Sequence, residues 1–199
     1  MDLNSSYELT IKLLIVGDST VGKTNFIYRF IENNFKETYF ASTGIDLKTT
    51  SINIDDKPIK IQIWDTAGQE KYKSITKTLF LKAQGTLALY DVTSESSFFN
   101  LKNWLNLIEE ECNPDVPIII VGNKIDLFMK RAIEKEKAIE YATQKKIDYI
   151  ETSSKTGENI NKAIHLITKK VLQKLGHNRN LSFSLDSSSS KKKLNHGCC

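Results

Sequence analysis

The chain has 199 residues, of which 40% are hydrophobic and 26% charged, so it is long enough to bury a substantial core. No apolar run approaches the roughly 20 residues of a membrane-spanning helix, and residues 1–9 lack the features of a signal peptide, so we expect synthesis in the cytosol. The net charge of +4 lies mostly in the segment after Leu175, whereas a nucleic-acid-binding protein carries a basic stripe on its folded body. The cysteines, three in number and two of them at the very end, exclude a disulfide framework.

Apolar runs typical of strands alternate along the chain with amphipathic patterns typical of helices. Strands are predicted near 10–16, 46–54, 58–65, 85–91, 117–122 and 147–151, and helices near 22–32, 72–82, 96–111, 132–144 and 158–174. A turn signal at Asp55-Asp56 predicts an antiparallel hairpin, while the continuous apolar runs 86–90 and 118–121 are typical of parallel strands covered on both faces. We therefore predict an α/β domain: a doubly wound, mostly parallel six-stranded sheet with five helices, whose ligand lies at the carboxyl ends of the strands.

The composition changes at Gly176. From there Asn, Ser and Lys dominate, and Ser187 to Ser190 run into Lys191 to Lys193. Such a segment cannot bury a core. The sequence therefore predicts one domain over residues 1–175 and a disordered tail over residues 176–199.

The first motif with chemical content follows the first predicted strand and opens the first helix. It reads Gly17-Asp18-Ser19-Thr20-Val21-Gly22-Lys23-Thr24, a spacing typical of a phosphate-binding loop. The two glycines allow the backbone to turn its N–H groups inward, and the helix N-terminus adds partial positive charge. In such a loop Lys23 reaches the β- and γ-phosphates and the Thr24 hydroxyl ligates Mg²⁺. The alternative is an ordinary glycine-containing turn, which the flanking strand and helix disfavour.

The second motif ends the third predicted strand and reads Trp64-Asp65-Thr66-Ala67-Gly68-Gln69. A carboxylate at Asp65 can reach Mg²⁺ through water, and Gly68 can offer its backbone N–H to a γ-phosphate. Gln69 then stands where its amide could orient an attacking water. On its own this pattern is common in turns, so its meaning depends on the phosphate-binding loop.

Two further segments follow the last two predicted strands. In Asn123-Lys124-Ile125-Asp126, the Asp126 carboxylate can accept both N–H donors of guanine and repels the acceptor N1 of adenine. Asn123 can tie this segment to the phosphate-binding loop, and the Lys124 stem can lie along the base. The backbone of Thr152-Ser153-Ser154-Lys155 can serve the guanine O6. Each segment alone is also compatible with a routine turn.

Together the four segments resemble the small GTPases of the Ras superfamily, and within it the Rab family, over about residues 8–175. The stretch 60–76 and Tyr90-Asp91-Val92-Thr93 carry the Rab-like features. The resemblance implies a P-loop GTPase fold and a GTP/GDP switch with mobile loops near 35–46 and 67–78. It implies catalytic roles for Lys23 and Gln69 and Mg²⁺ ligation by Thr24, Ser42 and Asp65. The implied nucleotide contacts are Gly17, Asp18, Ser19, Thr20, Val21, Gly22, Lys23, Thr24, Asn25, Phe35, Tyr39, Ser42, Asp65, Gly68, Asn123, Lys124, Asp126, Ser153, Ser154 and Lys155.

The resemblance also implies partners and a membrane anchor. A Rab-like protein is a monomer that works with a guanine nucleotide exchange factor, a GAP, a GDP-dissociation inhibitor or escort protein, and effectors of the GTP state. The terminal Cys198 and Cys199 would both be geranylgeranylated, because a chain that ends in cysteine does not fit the C-a-a-X template. The implied location is the cytoplasmic face of an intracellular membrane, with cycling to the cytosol and no nucleic-acid partner.

Several positions depart from the family pattern. Ser42 stands where the family has a threonine that senses Mg²⁺ and the γ-phosphate, and a one-residue shift onto Thr43 stays open. Leu47 replaces a usual Phe, and the segment 79–85 replaces a Tyr-Tyr-Arg-Gly type sequence, which affects the choice of effector.

Three functions compete with that of a GTP-hydrolysing switch. A GTP-bound scaffold that hydrolyses poorly would follow if Ser42 closes the switch badly, but Gln69 argues against it. Another P-loop enzyme, such as a nucleotide kinase, is disfavoured by the Asn123 to Asp126 segment and by the lack of an Arg-rich lid. A nuclear-transport GTPase is disfavoured because the tail is basic and ends in cysteine rather than being acidic.

Overall fold

The computed structural model describes residues 9–35, 45–66 and 73–189. Its strands are β1 (Leu9–Val16), β2 (Ile45–Ile54), β3 (Lys57–Thr66), β4 (Gly85–Asp91), β5 (Ile118–Asn123) and β6 (Asp148–Glu151). Its α-helices are α1 (Lys23–Glu32), α2 (Lys73–Lys82), α3 (Glu95–Phe99), α4 (Leu101–Glu111), α5 (Lys135–Lys145) and α6 (Ile160–Ser189), and a 3-10 helix covers Ile125–Lys130. The predicted order of strands and helices is confirmed.

The six strands form one sheet in the order β2-β3-β1-β4-β5-β6. All neighbouring pairs are parallel except β2 and β3, which are antiparallel. Asp55 and Asp56 make the predicted turn between them, with φ of 48° and 62°, a backbone region that Asp tolerates better than most residues. The five parallel strands therefore bring their carboxyl ends to one edge of the sheet.

Helices cover both faces of the sheet because the strand side chains alternate between two cores. Leu13 and Ile15 of β1 belong to the core under α1 and α6, whereas Leu14 and Val16 belong to the core under the helices α2 to α5. All four side chains are fully buried, and each contributes roughly 1.5–3 kcal/mol relative to exposure. The doubly wound architecture is therefore confirmed.

Two helix predictions need correction. The helix predicted over 96–111 is two successive helices, α3 and α4, and the described residues contain six α-helices rather than five. Ser94 caps α3 by accepting a hydrogen bond from the Ser97 N–H at 3.3 Å. The 3-10 helix was not predicted, since its six residues are too few to show a helical period.

The last helix is longer than the sequence indicates. Helix α6 continues to Ser189, so the predicted end near residue 174 is wrong, and residues 176–189 are helical rather than irregular. One glycine costs a helix only about 1 kcal/mol relative to alanine, and Gly176 does not stop the helix begun at Ile160. The division into a domain over 1–175 and a tail over 176–199 stays a prediction. Within residues 9–35, 45–66 and 73–189, no helix is long and apolar enough to cross a membrane.

Candidate nucleotide-binding site

The loop between β1 and α1 turns on two glycines. Gly17 has a φ of 144° and Gly22 a φ of 98°. A Cβ on Gly17 would overlap the carbonyl oxygen of Leu89, and a Cβ on Gly22 would lie 2.5 Å from Nδ2 of Asn123. Both positions therefore need glycine for space as well as for backbone angle. Gly22 is also the N-cap of α1, so the helix N-terminus faces the carboxyl edge of the sheet.

Lys23 is the first residue of α1 and is only 5% exposed. Its Nζ donates hydrogen bonds to the carbonyl oxygens of Gly17 and Asp18, both at 2.7 Å. The ammonium therefore lies inside the curve of the loop, where any anion enclosed by the loop would meet it.

The side chain of Asp18 has hydrogen-bond partners on α4. Its carboxylate accepts hydrogen bonds from Asn100 Nδ2 at 2.7 Å and from Trp104 Nε1 at 2.8 Å. These bonds anchor the loop to α4. The nucleotide contact of Asp18 stays a prediction.

Asp65 lies in β3, opposite Ile15 of β1, and is 2% exposed. Its Oδ1 is buried and has no hydrogen-bond partner among the described residues. Burial raises the pKa of the Asp65 carboxyl above its usual value, while a hydrogen bond with the Thr24 side chain and the charge of Lys23 act in the opposite direction.

A hydroxyl beside a buried carboxylate with an unused oxygen fits a divalent cation. No group of three or more His, Cys, Asp or Glu side chains in the described ranges could hold a metal. A cation at Thr24 and Asp65 would therefore complete its coordination with oxygens of a bound phosphate and water.

Asn123 is fully buried at the end of β5 and joins three segments. Its Nδ2 donates to the carbonyl oxygen of Val21 at 2.9 Å. Its Oδ1 accepts from Thr152 Oγ1 and from both the N–H and the hydroxyl of Ser154, each at 3.2 Å. The predicted tie between the phosphate-binding loop and the Asn123 segment is thus present, and it extends to the loop after β6.

Lys124 and Asp126 flank the same corner. Lys124 has a φ of 69°, and its Nζ lies 2.7 Å from Asp91 Oδ2. The Asp126 Oδ1 accepts a 2.6 Å hydrogen bond from Ser153 Oγ, whose oxygen in turn accepts from the N–H of Thr156 at 3.0 Å. The two segments that were predicted to face guanine are therefore in direct contact.

Sequence reasoning missed Arg29, on the second turn of α1. Its Nε donates to the carbonyl oxygen of Ser154 at 2.9 Å and its Nη2 to that of Lys155 at 2.5 Å. The side chain ties the helix that carries Lys23 and Thr24 to the loop after β6. No local pattern signals this contact, because it joins residues 125 and 126 positions apart.

The remaining predicted residues fall into two groups. Ser19 and Thr20 are exposed at the loop, whereas Asn25 and Phe35 are half-buried. Outside the described residues lie Tyr39, Ser42, Thr43, Gly68, Gln69, Cys198 and Cys199, and their roles stay predictions.

A glycine loop between the first strand and helix, a buried lysine inside it and a buried carboxylate beside it define a P-loop nucleotide-binding protein. Comparison with known proteins narrows this class. The sequence profile described as the Ras family matches residues 12–173. The chain is 42% identical over 179 residues to Ras-related protein Rab-8B of Homo sapiens, covering 90% of this chain and 86% of that protein. It is 41% identical over 174 residues to Ras-related protein Rab-13 of Canis lupus familiaris, covering 87% and 86%.

The chain belongs to the Ras family and is a Rab-type small GTPase. It binds guanine nucleotides, hydrolyses GTP and acts as a GTP/GDP switch in membrane traffic, together with regulators and effectors.

Proposed function

We propose that the guanine nucleotide binds along the carboxyl edge of the sheet, with its phosphates in the loop 17–24 and its base between Lys124 and the Asp126–Ser153 pair. The observation that carries this proposal is the position of Asn123, whose buried amide bonds both to the phosphate-binding loop and to the loop after β6 and whose own backbone leads into the Lys124–Asp126 segment. A single side chain thus fixes the distance between the phosphate end and the base end. Such preorganisation lowers the cost of binding a ligand that spans both.

Recognition of guanine follows from the carboxylate of Asp126. An ionised carboxylate only accepts hydrogen bonds, so it complements the N1–H and the exocyclic amino group of guanine. Adenine presents an acceptor at N1 and would leave the carboxylate facing another acceptor. Ser153 holds Asp126 at 2.6 Å and so orients the carboxylate for this contact.

Hydrolysis would proceed by attack of water on the γ-phosphorus, with cleavage of the bond to the β–γ bridging oxygen, which leaves with GDP. Lys23 and the loop N–H groups stabilise negative charge on the transferring group, and Gln69 positions the water. When bound at Thr24, Asp65 and Ser42, Mg²⁺ supplies charge neutralisation at the phosphates. A shift of one position would place Thr43 in the role of Ser42.

Among the residues that the structure describes, no arginine near this edge is available to assist the reaction. Arg29 donates to Ser154 and Lys155, and Arg131 donates to Glu151. Slow turnover without a GAP follows, and a GAP that inserts an arginine is expected to accelerate it by about 10³–10⁵.

Displacement of a fluorescent GDP analogue tests the proposal directly. GTP and GDP should displace it, and ATP should fail at a thousandfold higher concentration, because a site built for hydrogen bonds rejects the wrong pattern by roughly 10⁴. Equal displacement by ATP would contradict the assignment of the base site.

The membrane anchor is a separate part of the proposal. Two geranylgeranyl chains on Cys198 and Cys199 would hold the protein at the cytoplasmic face of an intracellular membrane, since one chain gives marginal binding and two give stable anchoring. Lys191 to Lys193 would add about 1 kcal/mol each at an anionic surface. A GDP-dissociation inhibitor or escort protein would shield both chains in the cytosol, and an exchange factor would reload GTP at the membrane.

Replacing both cysteines by serine should abolish membrane association and leave GTP binding intact. Replacing only the three lysines is the matched comparison, and it should weaken association without abolishing it. Membrane association of the double-serine protein would show that the anchor lies elsewhere.

A further inference from the structure

A half-buried ion pair lies behind the proposed base site. Arg131 follows the 3-10 helix directly, and Glu151 is the last residue of β6. Nη1 of Arg131 lies 2.8 Å from Glu151 Oε1, and Nη2 lies 3.1 Å from Oε2. The two side chains are 19% and 11% exposed. This is a two-bond contact, which restricts both the distance and the angle between its partners.

Each partner is directly joined to one of the two segments that face the base. The backbone N–H of Arg131 donates to the Phe128 carbonyl at 3.2 Å and closes the 3-10 helix that carries Asp126. Glu151 directly precedes the segment of Thr152 to Lys155, in which Ser153 contacts Asp126. The segments therefore meet at three contacts: the Ser153–Asp126 bond, the hydrogen bond from the Ile125 N–H to the Thr152 carbonyl at 3.3 Å, and the Arg131–Glu151 pair.

Two tyrosines support the carboxylate of this pair. Tyr149 lies 2.9 Å from Glu151 Oε1 and donates to it, and the hydroxyls of Tyr90 and Tyr149 are 2.8 Å apart. Since the Tyr149 proton goes to Glu151, Tyr90 donates to Tyr149. Burial raises the pKa of Tyr90 to about 12 and that of Tyr149 as well, so both hydroxyls keep their protons at neutral pH.

The network reaches the strand that carries Asn123. A Cβ on Gly122 would lie 2.8 Å from the Tyr149 hydroxyl and 2.9 Å from that of Tyr90. Glycine at this position lets the two phenols meet against β5, one residue before Asn123. The two phenols thus lie against Gly122, and the next residue of the same strand is Asn123.

We propose that Arg131 and Glu151 are positioning residues that set the separation between the Asp126 helix and the loop after β6, and thereby the strength and selectivity of guanine binding. This inference rests on the proposed base site. Neither side chain contacts the nucleotide. Both act by keeping Asp126 aligned with Ser153.

Backbone contacts explain why the effect is local. Strand β6 is held by its pairing with β5, where Gly122 lies opposite Glu151. After Arg131, the N–H groups of Ala132 and Ile133 donate to the Val92 carbonyl at 2.9 and 3.1 Å. Loss of the ion pair therefore leaves the sheet and the segment after Arg131 in place. The 3-10 helix that carries Asp126 would then be held to the loop after β6 by the Ser153–Asp126 bond and the Ile125–Thr152 backbone bond, without the ion pair that fixes its far end.

The test uses Glu151→Gln, which keeps the shape of the side chain and removes its charge. GDP and inosine diphosphate are compared, because the latter lacks the exocyclic amino group that Asp126 would recognise. We expect about tenfold faster GDP release, which corresponds to about 1.4 kcal/mol lost from the bound state. We also expect the preference for GDP over inosine diphosphate to shrink by about threefold, because a displaced Asp126 loses part of that contact.

Asp148→Asn is the matched control. Asp148 begins the same strand and pairs with Lys170 at 2.7 Å, away from the base segments. It should leave both quantities within about twofold of the wild type, as distant independent sites do. Arg131→Lys keeps the positive charge but loses the two-bond contact, so it should resemble Glu151→Gln. A lysine variant equal to the wild type would overturn the geometric argument.

Two further outcomes distinguish failure of the Arg131–Glu151 inference from failure of the proposed base site. Equal weakening of GDP and inosine diphosphate, with a lowered unfolding midpoint, would show a structural role only and overturn it. A wild-type protein without preference for guanine would instead contradict the proposed base site. If Glu151→Gln does not fold, Tyr149→Phe removes one hydrogen bond to Glu151 and should speed GDP release by about two- to threefold; an unchanged rate there would refute the inference.

Discussion

The base end and the phosphate end of the proposed site differ in how their buried polar atoms are paired. At the base end, Asn123 uses both atoms of its amide, and Asp126 is held by Ser153. At the phosphate end, Asp65 keeps a buried Oδ1 without a hydrogen-bond partner among the described residues. A buried unpaired oxygen of this kind costs about 1–3 kcal/mol. The fold thus builds the base end from its own hydrogen bonds and keeps an energetically costly carboxylate at the phosphate end.

This difference suggests separate duties for the two ends. Fully paired polar groups hold one geometry and are suited to selectivity. A desolvated carboxylate beside a hydroxyl and a buried lysine is suited to binding charged ligands. Groups with perturbed pKa values of this kind cluster at functional sites. Substitutions at the base end should therefore change nucleotide selectivity, whereas substitutions at the phosphate end should change the binding of charged groups.

The largest effect is expected at the base end. Asp126→Asn replaces an acceptor by a donor opposite the guanine N–H groups, and should lower GTP affinity by about 10⁴. The same variant should gain affinity for xanthosine triphosphate, whose base presents a carbonyl at that position. Competition binding measures both changes. Asp56→Asn at the exposed β2–β3 turn is the control, and a loss of similar size there would contradict the assignment.

The junction between the two ends is the next target. Gly22→Ala would force a left-handed backbone on alanine and push its Cβ to 2.5 Å from the Asn123 amide. We expect a loss of about 1–3 kcal/mol in the free energy of unfolding, and about a hundredfold loss of affinity for GTP and GDP alike, since each 1.4 kcal/mol is a factor of ten. Both are measurable by denaturant titration and equilibrium binding.

The contrast for that variant is Gly176→Ala in α6. No atom lies within 4 Å of a Cβ built there, so the substitution should raise helix stability by up to about 1 kcal/mol. Destabilisation by both variants would mean that the crowding at Asn123 is not the cause.

At the phosphate end, Asp65→Asn should split binding from stability. It should weaken Mg²⁺-dependent GTP binding by about 10–100-fold, the range for losing a group that acts on a metal through water. Without nucleotide, the variant should be at least as stable as the wild type at pH 7, because a buried charge has been removed. Calorimetry with and without Mg²⁺, and urea unfolding of the nucleotide-free protein, measure these effects.

The pH dependence of that stability follows from the sign of the shift. The folded-state pKa of Asp65 lies above its unfolded value, so ionisation opposes folding. The penalty is absent below the unfolded pKa of about 3.9 and grows as pH rises through the folded value. The stability gained by Asp65→Asn should therefore be larger at pH 7 than at pH 4. A gain that is larger at pH 4 would contradict burial as the cause.

The smallest effect is expected where the phosphate loop meets α4. Trp104→Phe removes the 2.8 Å bond to Asp18 while Asn100 keeps its own. The free energy of unfolding should fall by about 1–3 kcal/mol, as for a hydrogen bond to a charged group, and nucleotide affinity by a few-fold at most. A large drop in affinity with unchanged stability would show that the tryptophan contributes to the site itself.

The fold could be predicted because its signals are local. Continuous apolar runs identified β4 and β5, and Asp55-Asp56 identified the hairpin. The site segments could be located because parallel strands end at one edge of the sheet. The end of α6 could not be predicted, because a change in composition at Gly176 says little about whether a helix that has already formed will continue.

The contacts that order the site are long-range and leave no pattern in the sequence. Asp18 meets Asn100 and Trp104 across 82 and 86 positions. Arg29 and Arg131 each lie in or beside a helix, where an arginine is ordinarily taken for a solvated charge. What a residue type permits is visible in the sequence, but which partner it finds depends on the packed sheet.

The order of the strands has a consequence for self-association. Strand β2 pairs only with β3 in the described sheet, so every other one of its ten residues presents its backbone N–H and C=O along one margin. The opposite margin is β6, which has only four. A long free margin invites the addition of strands from other copies. Exposed Asp46, Thr49, Ser51 and Asn53 line it with polar side chains, and an aggregate nucleated at β2 would have to desolvate them.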